Sequence, residues 1–429
     1  MSTDSTATLP RPSVTSATST LDALLRRRLL ASMRTLRESE LTLDDGIGTE
    51  TLGTPAPDAA QTLRSRVTVH DPAFYRALAF NGSVGAGEAY MDGLWDCDDL
   101  VAVIRMLVRN RDRLDAMETG SARLGGLAMK ALHALARNTR GGSRRNIAAH
   151  YDLGNALFRL FLDQNLMYSS ARYETEADTL DIAATRKLHH VCRKLNLGPN
   201  DHLIEIGTGW GGFALHAARH YGCRVTTTTI SNEQRDFARE RVAAAGLGDR
   251  IEVLLEDYRD LGGKYDRLVS IEMIEAIGHQ YLDTYFRKAA SLLHDDGAAL
   301  IQAITIEEHR YEQALQAVDY IKRYIFPGSF IPSISAMLGA AARTGDLQLR
   351  HLEDIGPSYA LTLKAWRERF LARRADVLAL GYPERFVRMF EFYFAYCEGG
   401  FRERSVGCAQ MLFTRPHATL GRFTPALAS

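Results

Sequence analysis

The chain has 429 residues, and its 52 Lys and Arg residues balance its 52 Asp and Glu residues. Hydrophobic residues make up 46% of the chain and charged residues 24%, which excludes fibrous and wholly disordered classes. The neutral balance argues against binding of nucleic acid through overall charge. The length is sufficient for two domains, or for one domain with a substantial extension.

The sequence contains no sign of a disulfide framework, a metal site or a membrane span. Its five cysteines include no CxxC pair and have no histidine at metal-ligand spacing. The first 20 residues lack the apolar core of a secretory signal. No run approaches the roughly 18 apolar residues of a membrane-spanning helix. We therefore expect a soluble cytoplasmic protein without a metal cofactor.

The N-terminal part divides into an extension and a compact block. The extension, residues 1–60, begins with a Ser-, Thr-, Ala- and Pro-rich stretch that is predicted to be disordered. Leucines at helical spacing predict a helix over Leu21–Arg37, and a polar stretch follows. Residues 61–120 are predicted to form a smaller α+β domain.

Within that smaller domain, the pattern changes from strand to helix. Arg66–His70 alternates like a strand, and Asp71-Pro72 opens a predicted helix over Ala73–Phe80. Three glycines after this helix, Gly82, Gly85 and Gly87, predict a turn, and a further helix is expected over Val101–Val108.

A basic segment without acidic residues, 121–145, is predicted to be a linker helix. Its apolar side chains lie on one side of the helix, and its cations lie on the other. Such a helix can lie on an anionic membrane surface or dock on the protein as a solvated linker, and both interpretations stay open.

Residues 146–429 are predicted to form an α/β domain, because strands and helices alternate from residue 202 onward. That rhythm implies a parallel sheet covered on both faces. The predicted strands are His202–Ile206, Cys223–Thr229, Ile251–Leu255, Leu268–Ile271 and Ala299–Ile304, and the predicted helices are Gly212–His220, Glu233–Ala245 and Gln280–Leu293.

A glycine-rich loop follows the first of these strands and identifies the cofactor class. Glu205 ends the apolar strand, and Gly207, Gly209 and Gly211 follow before the next helix. A dinucleotide site would need an acid at the end of the second strand, but no acid occurs there until Glu233. An acid ahead of the glycines is typical of S-adenosylmethionine (SAM) methyltransferases, whose loops read E/DxGxGxG.

Many segments around this loop resemble the cyclopropane-fatty-acyl-phospholipid synthases and mycolic acid cyclopropane synthases, in order and over roughly residues 60–415. The resemblance implies a Rossmann-like, seven-stranded, mostly parallel methyltransferase sheet. The segments that carry it include His150–Asn155, Met167–Ala171, Ile204–Gly212, Thr229–Gln234, Glu256–Leu261, Ser270–Gly278, Tyr324–Gly328, Gly356–Tyr359 and Tyr396–Phe401, with Gly82–Trp95 resembling the N-terminal domain of the phospholipid enzymes.

The resemblance also implies the reaction and its partners. The family transfers one carbon from SAM to a cis double bond of a lipid acyl chain. Its phospholipid members act on bilayer lipids from the cytoplasmic face, commonly as dimers. We therefore expect unsaturated phospholipid acyl chains at an anionic membrane surface as the substrate, a peripheral position on the inner face, and a homodimer as one possible assembly.

The cofactor-binding residues are carried over from matching motif positions. The family places Tyr168 and Ser169 at the methionine end of SAM, and Tyr258 at its adenine. The remaining predicted cofactor residues lie in the glycine loop and at the end of the second strand, and they are Glu205, Gly207, Gly209, Gly211, Thr229 and Gln234.

The family's proton acceptor is a bound bicarbonate ion, and its binding residues are the predicted catalytic residues here. Glu275, Tyr359 and the backbone of Ile304 match the family pattern. Two positions depart from it, because Ser170 stands at the usual Cys and Gln302 at the usual His.

The two departures bear on the base that removes the proton. A serine at 170 still offers a backbone amide and a hydroxyl, whereas a glutamine at 302 can donate a hydrogen bond but cannot carry charge. Bicarbonate would then be held more weakly or be replaced. Glu275 is the substitute base that we expect, provided that burial raises its pKa towards neutrality.

Three alternatives to cyclopropane formation stay open at this point. The same first step could give a methylene- or methyl-branched acyl chain, because the position of the base decides which proton leaves. The chain could also be a non-catalytic lipid-binding homologue, or a methyltransferase of a soluble small molecule. The N-terminal block and the basic segment favour a lipid over a soluble substrate. An aromatic segment over Glu307–Ser333 is predicted to form helices that cap the acyl channel.

Overall fold

The computed structural model describes residues 19–117 and 154–418, and its first part is a small α+β unit. Four strands form a sheet in the order β2-β1-β3-β4, in which β1 and β3 are parallel and the outer pairs are antiparallel. The elements are α1 (Thr20–Met33), β1 (Ser39–Asp44), β2 (Thr49–Leu52), β3 (Leu63–Val69), α2 (Ala73–Met91), β4 (Trp95–Cys97), α3 (Leu100–Arg109) and α4 (Arg111–Met117).

Strands β1 and β2 correct the predicted start of this unit at residue 61. They lie in the segment assigned to the N-terminal extension, and β1 pairs with β3 from Ser39 onward. Leu41 and Leu43 are buried and alternate with more exposed residues, as expected for a half-buried strand. Only these two leucines form the apolar alternation of β1, so the polar residues around them concealed the strand in the sequence.

The predicted glycine turn after residue 80 is confirmed at Gly82 and is wrong at Gly85 and Gly87. Gly82 has non-helical angles, φ +52 and ψ −129, so α2 consists of two helical stretches that meet at a kink there, and Gly85 and Gly87 lie within the second stretch. Gly87 lies against the ring of Tyr320, and a Cβ at this position would be 2.3 Å from that ring. The glycines therefore bend the helix and admit a neighbouring side chain.

The second part of the molecule contains a seven-stranded sheet in the order β10-β11-β9-β8-β5-β6-β7. Strands β5 to β9 pair in parallel, and β11 is antiparallel to both β9 and β10. The bounds are His202–Ile206 (β5), Arg224–Thr229 (β6), Ile251–Leu255 (β7), Tyr265–Ile271 (β8), Leu293–Ile306 (β9), Gln348–Asp354 (β10) and Val406–Thr414 (β11). This arrangement confirms the predicted α/β fold.

Helices flank the sheet and cover its carboxyl edge. They are α5 (Asn155–Phe158), α6 (Leu180–Lys194), α7 (Gly212–Tyr221), α8 (Asn232–Ala244), α9 (Leu282–Leu292), α10 (Tyr311–Gln316), α11 (Ile334–Thr344), α12 (Gly356–Ala372), α13 (Arg374–Ala379) and α14 (Glu384–Arg402). A short π-helix, Ile321–Ile325, follows α10 within the predicted aromatic cap.

Helix α14 joins the two parts through close packing and ion pairs. Gly399 lies against α3, where a Cβ would be 2.6 Å from the side chain of Ile104. Just beyond α14, the Glu403 carboxylate accepts hydrogen bonds from Arg105 at 2.6 Å and from Arg109 at 2.9 Å. These contacts place α3 beside the carboxyl edge of the large sheet.

Two predictions concern membranes and metals. Among the described residues, no helix is long and apolar enough to cross a membrane, and no group of three or more His, Cys, Asp or Glu side chains could hold a metal ion. The predicted basic linker helix, 121–145, lies outside the described residues.

Candidate active site

A cavity of about 1280 Å³ opens at the carboxyl ends of β5, β6 and β8. This edge is where parallel α/β sheets bind their ligands. One end of the cavity is polar and is bounded by the glycine loop after β5. The other end is apolar and reaches α1, α2 and α3 of the N-terminal unit, including Leu29, Leu78 and Leu107. The two parts of the molecule therefore share one cavity.

The glycine loop forms the polar wall of the cavity. Gly207 and Gly209 have φ values of +106 and +52, and no atom lies within 4 Å of the position that a Cβ would take on Gly209. The loop backbone is thus open towards the cavity, as close approach of a ligand requires. Gly211 faces the other way, since a Cβ there would be 3.2 Å from Ala238, and it serves packing against α8 instead of the predicted cofactor contact.

Glu205 and the end of β6 lie beside this loop. The Thr227 hydroxyl donates a hydrogen bond of 2.6 Å to Glu205 Oε2, and burial raises the pKa of Glu205 to about 8. At the end of β6, the Thr229 hydroxyl donates to Gln234 Oε1 at 2.8 Å. Glu205, Thr229 and Gln234 all line the cavity, as predicted for cofactor-binding residues.

Tyr258 closes the polar end of the cavity. Its ring packs edge-on against Tyr285, with centroids 5.6 Å apart, and its buried hydroxyl has no hydrogen-bond partner among the described residues. An orphaned buried hydroxyl beside an open glycine loop fits a ligand with both a flat aromatic part and polar groups. SAM has such an adenosine part, so the residues present fit this cofactor.

Tyr168 and Ser169 bring the segment before α6 into the same cavity. The hydroxyls of Tyr168 and Tyr393 are 3.0 Å apart and share a hydrogen bond. Ser169 Oγ accepts a hydrogen bond of 2.8 Å from Nζ of Lys187, a fully buried cation. The predicted cofactor residues are therefore assembled around one polar wall, with Gly211 as the exception.

A carboxylate that the sequence analysis did not single out lies at the centre of the site. Glu272 follows β8, and its Oε1 accepts hydrogen bonds from the backbone N–H of Ser170 at 2.9 Å and from Nε2 of Gln302 at 2.7 Å. Oε2 accepts a hydrogen bond of 2.7 Å from the hydroxyl of Tyr359. The three donors expected to hold an external anion thus hold a side-chain carboxylate.

Glu272 reaches this position through an uncommon backbone conformation. Its φ is +51, in the left-handed region that glycine adopts without strain and that costs other residues about 1 kcal/mol or more. Its own N–H donates to the carbonyl of Gln302 at 2.8 Å, which fixes the turn against β9. The turn directs the side chain back towards the donors instead of into solvent.

A fourth donor comes from β11. The Cys408 thiol lies 3.6 Å from Glu272 Oε1 and is fully buried. Because position 170 is a serine, the sequence predicts that the usual thiol is missing from the site. The structure instead supplies one from a strand more than two hundred residues further along the chain.

A chain of buried side chains fixes the orientation of the Gln302 amide. Lys194 Nζ, which can only donate, donates to Gln410 Oε1 at 2.8 Å, and Gln410 Nε2 donates to Gln302 Oε1 at 2.9 Å. Gln302 must therefore present its NH2 group to Glu272, because its oxygen is already in use. An NH2 group there stabilises the ionised form of Glu272.

Glu275 occupies a different environment one turn further on. Its Oε1 accepts a hydrogen bond of 2.6 Å from the backbone N–H of Ile304, and its buried Oε2 has no partner among the described residues. The predicted pair of Glu275 and Ile304 is thus brought together, but the two groups bind each other.

The two carboxyls have unequal affinities for a proton. Burial raises the pKa of Glu275 to about 8, and the neighbouring charge of Glu272 raises it further in the same direction. Burial also raises the pKa of Glu272, but the donors Tyr359 and Ser170 oppose this shift. Glu275 therefore holds a proton more readily, and the donors around Glu272 favour its ionised form.

The apolar end of the cavity is lined by aromatic and aliphatic side chains. Phe326 packs against Tyr168, with ring centroids 6.1 Å apart, and Phe392 and Tyr396 of α14 continue this wall towards α3. The predicted aromatic cap contributes Phe326 and Phe330 to the lining, while Tyr320 is buried behind it. This end can hold a long apolar chain and exclude water.

Comparisons with known proteins show the family to which the chain is related. The family model described as mycolic acid cyclopropane synthetase matches residues 139–411. The chain is 37% identical to the tuberculostearic acid methyltransferase UfaA1 of Mycobacterium tuberculosis, over 89% of this chain and 88% of that protein. It is 36% identical to the cyclopropane-fatty-acyl-phospholipid synthase of Escherichia coli K12, over 81% of this chain and 87% of that one.

A solved structure supports the same relationship. The mycolic acid cyclopropane synthase CmaA1, complexed with SAH and CTAB, aligns with a TM-score of 0.59 and 30% identity. The alignment covers 63% of this chain and 98% of that protein.

Proposed function

Because this chain belongs to the mycolic acid cyclopropane synthetase family, we propose that it transfers one carbon from SAM to a double bond of an unsaturated phospholipid acyl chain. The chain is a SAM-dependent methyltransferase, and SAM is its methyl donor. The acyl substrate and the cyclopropane product are the proposed part. The observation that carries the proposal is a single cavity with a carboxylate at the junction between its polar and apolar ends.

The residues of the cavity have separable tasks in this reaction. SAM, when bound, supplies an electrophilic methyl group. The glycine loop, Thr229 and Tyr258 would bind it at the polar end, leaving its reactive part near Tyr168 and Glu272. The apolar end would hold the acyl chain, exclude water and position the double bond, and such positioning can lower a barrier by several kcal/mol, about 7–11 in the best cases.

Aromatic faces and a carboxylate suit the charge that develops on the acyl chain. A double bond that attacks a methyl group leaves a positive charge on the neighbouring carbon. The faces of Tyr168 and Phe326 and the charge of Glu272 attract a cation in a dry site. The positive charge is discharged when a base removes a proton, which closes the three-membered ring.

A methylene- or methyl-branched acyl chain is the second candidate product. It is favoured by the relative at 37% identity, which is named a methyltransferase, and by the Gln302 and Ser170 departures. Both products arise from the same first step. The ring closes when the added methyl group loses a proton to the base, whereas a methylene branch forms when hydride first shifts from the methylated carbon to the positive carbon and the methyl group then loses its proton. The site does not favour a soluble small molecule, because most of the surface of the cavity as a whole is apolar.

We further propose that the enzyme reaches its substrate at an anionic membrane surface on the cytoplasmic side, with a homodimer as one possible assembly. The neighbouring N-terminal unit contributes α1, α2 and α3 to the apolar end of the cavity, which supports entry of a lipid there. The basic composition of residues 121–145, which contain no acid, favours an anionic lipid surface.

The test is incubation of the enzyme with SAM and vesicles of unsaturated phospholipid, followed by mass spectrometry of the released acyl chains. We expect a mass gain of one CH2 group and a product that resists hydrogenation under conditions that reduce alkenes. A product that takes up hydrogen would replace the ring by the branched alternative. Absence of any modified acyl chain, with SAM binding intact, would contradict both.

A further inference from the structure

We propose that Glu272 is the proton acceptor of this enzyme, and that its carboxylate fills the place of an external anion, so that the enzyme needs no bicarbonate. The identity of the transferred proton rests on the proposed function. The occupation of the anion site by Glu272 does not depend on it. The residues expected to hold bicarbonate do not fit it in this chain, because Glu272 already takes the donors.

Four hydrogen-bond donors from separate parts of the chain converge on Glu272. Ser170, Gln302, Tyr359 and Cys408 come from four separate segments of the chain, and all four donate to one carboxylate. Hydrogen bonds to a charged acceptor are roughly twice as strong as those between neutral groups. Together these donors form an anion-binding site, and the anion that occupies it is the Glu272 carboxylate.

The hydrogen-bond network favours the ionised form of Glu272 and still leaves one oxygen able to receive a proton. Oε1 meets only donors, since the Ser170 N–H offers no acceptor and the Gln302 oxygen is taken by Gln410. A proton on Oε2 requires the Tyr359 hydroxyl to turn and accept a hydrogen bond from it. The buried cation Lys187 also attracts a negative charge at this position. Glu272 is therefore held as the carboxylate, which is the form that a proton acceptor requires.

Glu275 has fewer hydrogen-bond donors than Glu272. That carboxyl has one donor, the N–H of Ile304, and an unpartnered buried oxygen. A single donor cannot offset the burial of a charge. Glu275 is thus the carboxyl that stays protonated beside an ionised Glu272, and two adjacent carboxyls divide one proton between them in this way.

The proton transfer balances without another reactant. The electron pair of the double bond forms the bond to the methyl carbon of SAM, while the bond between that carbon and sulfur breaks. Its electron pair stays on the sulfur, which leaves as a neutral thioether, and the adjacent carbon of the acyl chain becomes positive. A C–H bond of the added methyl group then breaks. Its electron pair closes the ring by bonding to the positive carbon, and its proton goes to an oxygen of Glu272. The carboxyl returns the proton to solvent after the product leaves.

The first experiment measures anion binding without any lipid. Labelled bicarbonate is added to the full-length wild type and to Glu272→Gly, and bound label is determined by equilibrium dialysis. Glycine suits the left-handed backbone at this position and removes the carboxylate while leaving the donors. We expect E272G to bind about one bicarbonate per chain and the wild type to bind none.

The second experiment measures turnover in buffer depleted of carbon dioxide. We expect the wild type to keep its activity, and Glu272→Gln to lose about 10²–10⁴-fold in kcat while retaining SAM affinity. E272G should lose a similar factor and regain activity when bicarbonate is added. Glu391→Gln is the matched control, since Glu391 is also a largely buried carboxyl of raised pKa but does not line the cavity.

The outcomes separate this inference from the proposed function. Bicarbonate binding to the wild type, no binding to E272G, or loss of wild-type activity on depletion would each overturn the inference. So would an E272Q variant that stays active, that loses SAM affinity in step with turnover, or that is less impaired than Glu275→Gln. If the wild type modifies no lipid, the proposed function fails, and the dialysis result still decides whether Glu272 fills the anion site.

Discussion

The hydroxyl of Tyr359 lies 2.7 Å from Oε2 of Glu272 and donates a hydrogen bond to it, across 87 residues of sequence. The Tyr359 ring is itself fixed by stacking on Phe401, with centroids 4.4 Å apart. The hydroxyl is therefore held in place before any ligand binds. This contact connects helix α12 to the turn after β8. Its removal is expected to affect the charge state of Glu272 more than the packing of the core.

Replacement of Tyr359 by Phe is expected to reduce kcat by about 10- to 100-fold, the value of a hydrogen bond to a charged group. The pKa of Glu272 should rise, because one donor to its ionised form is lost, so the acidic limb of the kcat profile should move to higher pH. The measurement is the pH dependence of turnover.

Tyr221→Phe is the control for that substitution, since the Tyr221 hydroxyl bonds to His189 away from the cavity. Turnover should change little in this variant. A Y359F profile that keeps its acidic limb in place would contradict a contact between Tyr359 and the titrating base.

Substitution of Gln410 by Met tests the chain of oriented amides. Without the Gln410 NH2 group, the Gln302 amide can rotate and present its oxygen to Glu272, which favours the protonated carboxyl. We expect lower kcat at neutral pH, recovery of part of it at higher pH, and unchanged SAM affinity. Equal loss at every pH would argue for a packing defect instead.

Glu275 is expected to make folding stability depend on pH. Its pKa is raised to about 8 in the folded protein from an ordinary value of 4.5, so the folded state binds the proton more tightly. This contribution is fully present below about pH 4.5 and is lost as the pH rises through 8. The unfolding free energy of the wild type should therefore decline across this window.

Glu275→Gln should flatten that decline, because glutamine keeps an acceptor for the Ile304 N–H and carries no charge. Urea unfolding at several pH values measures the effect. Glu368→Gln, at an exposed helical ion pair with Lys364, should leave the wild-type slope intact. Identical slopes for E275Q and the wild type would show that Glu275 has an ordinary pKa.

Gly87→Ala is expected to destabilise the protein by about 1–3 kcal/mol, the usual cost of overpacking a core. The new methyl group would lie 2.3 Å from the Tyr320 ring, so the ring must move. Thermal unfolding measures the loss. Gly262→Ala is the control, since a Cβ there meets no atom within 4 Å, and an equal fall in melting temperature for both variants would contradict the packing argument.

The sheet could be predicted from the sequence because its strands are short apolar runs between glycines and helices. His202–Ile206 and Ile251–Leu255 were predicted with the bounds that the structure gives them. The Leu293–Ile306 strand begins earlier than predicted, because His294, Asp295 and Asp296 interrupt the apolar pattern. Apolar periodicity locates buried strands well and exposed strand ends poorly.

The role of Glu272 could not be predicted in the same way. Its neighbour Glu275 matches a family position, whereas the geometry of Glu272 depends on a left-handed backbone angle and on donors from distant segments. The only signal in the sequence was a second acid three residues before Glu275, directly after a buried strand. The polar partners Gln410 and Lys194 were likewise hidden, since neither belongs to a motif.

The measurement that tests the account most directly uses SAM whose transferred methyl group carries three deuterium atoms. The enzyme is incubated with this labelled SAM and unsaturated phospholipid vesicles, and the masses of the released acyl chains are measured by mass spectrometry. If a base takes a proton equivalent from the transferred methyl group and the ring closes, the product gains a CD2 group and resists hydrogenation. A product that retains all three deuterium atoms would contradict cyclopropane formation.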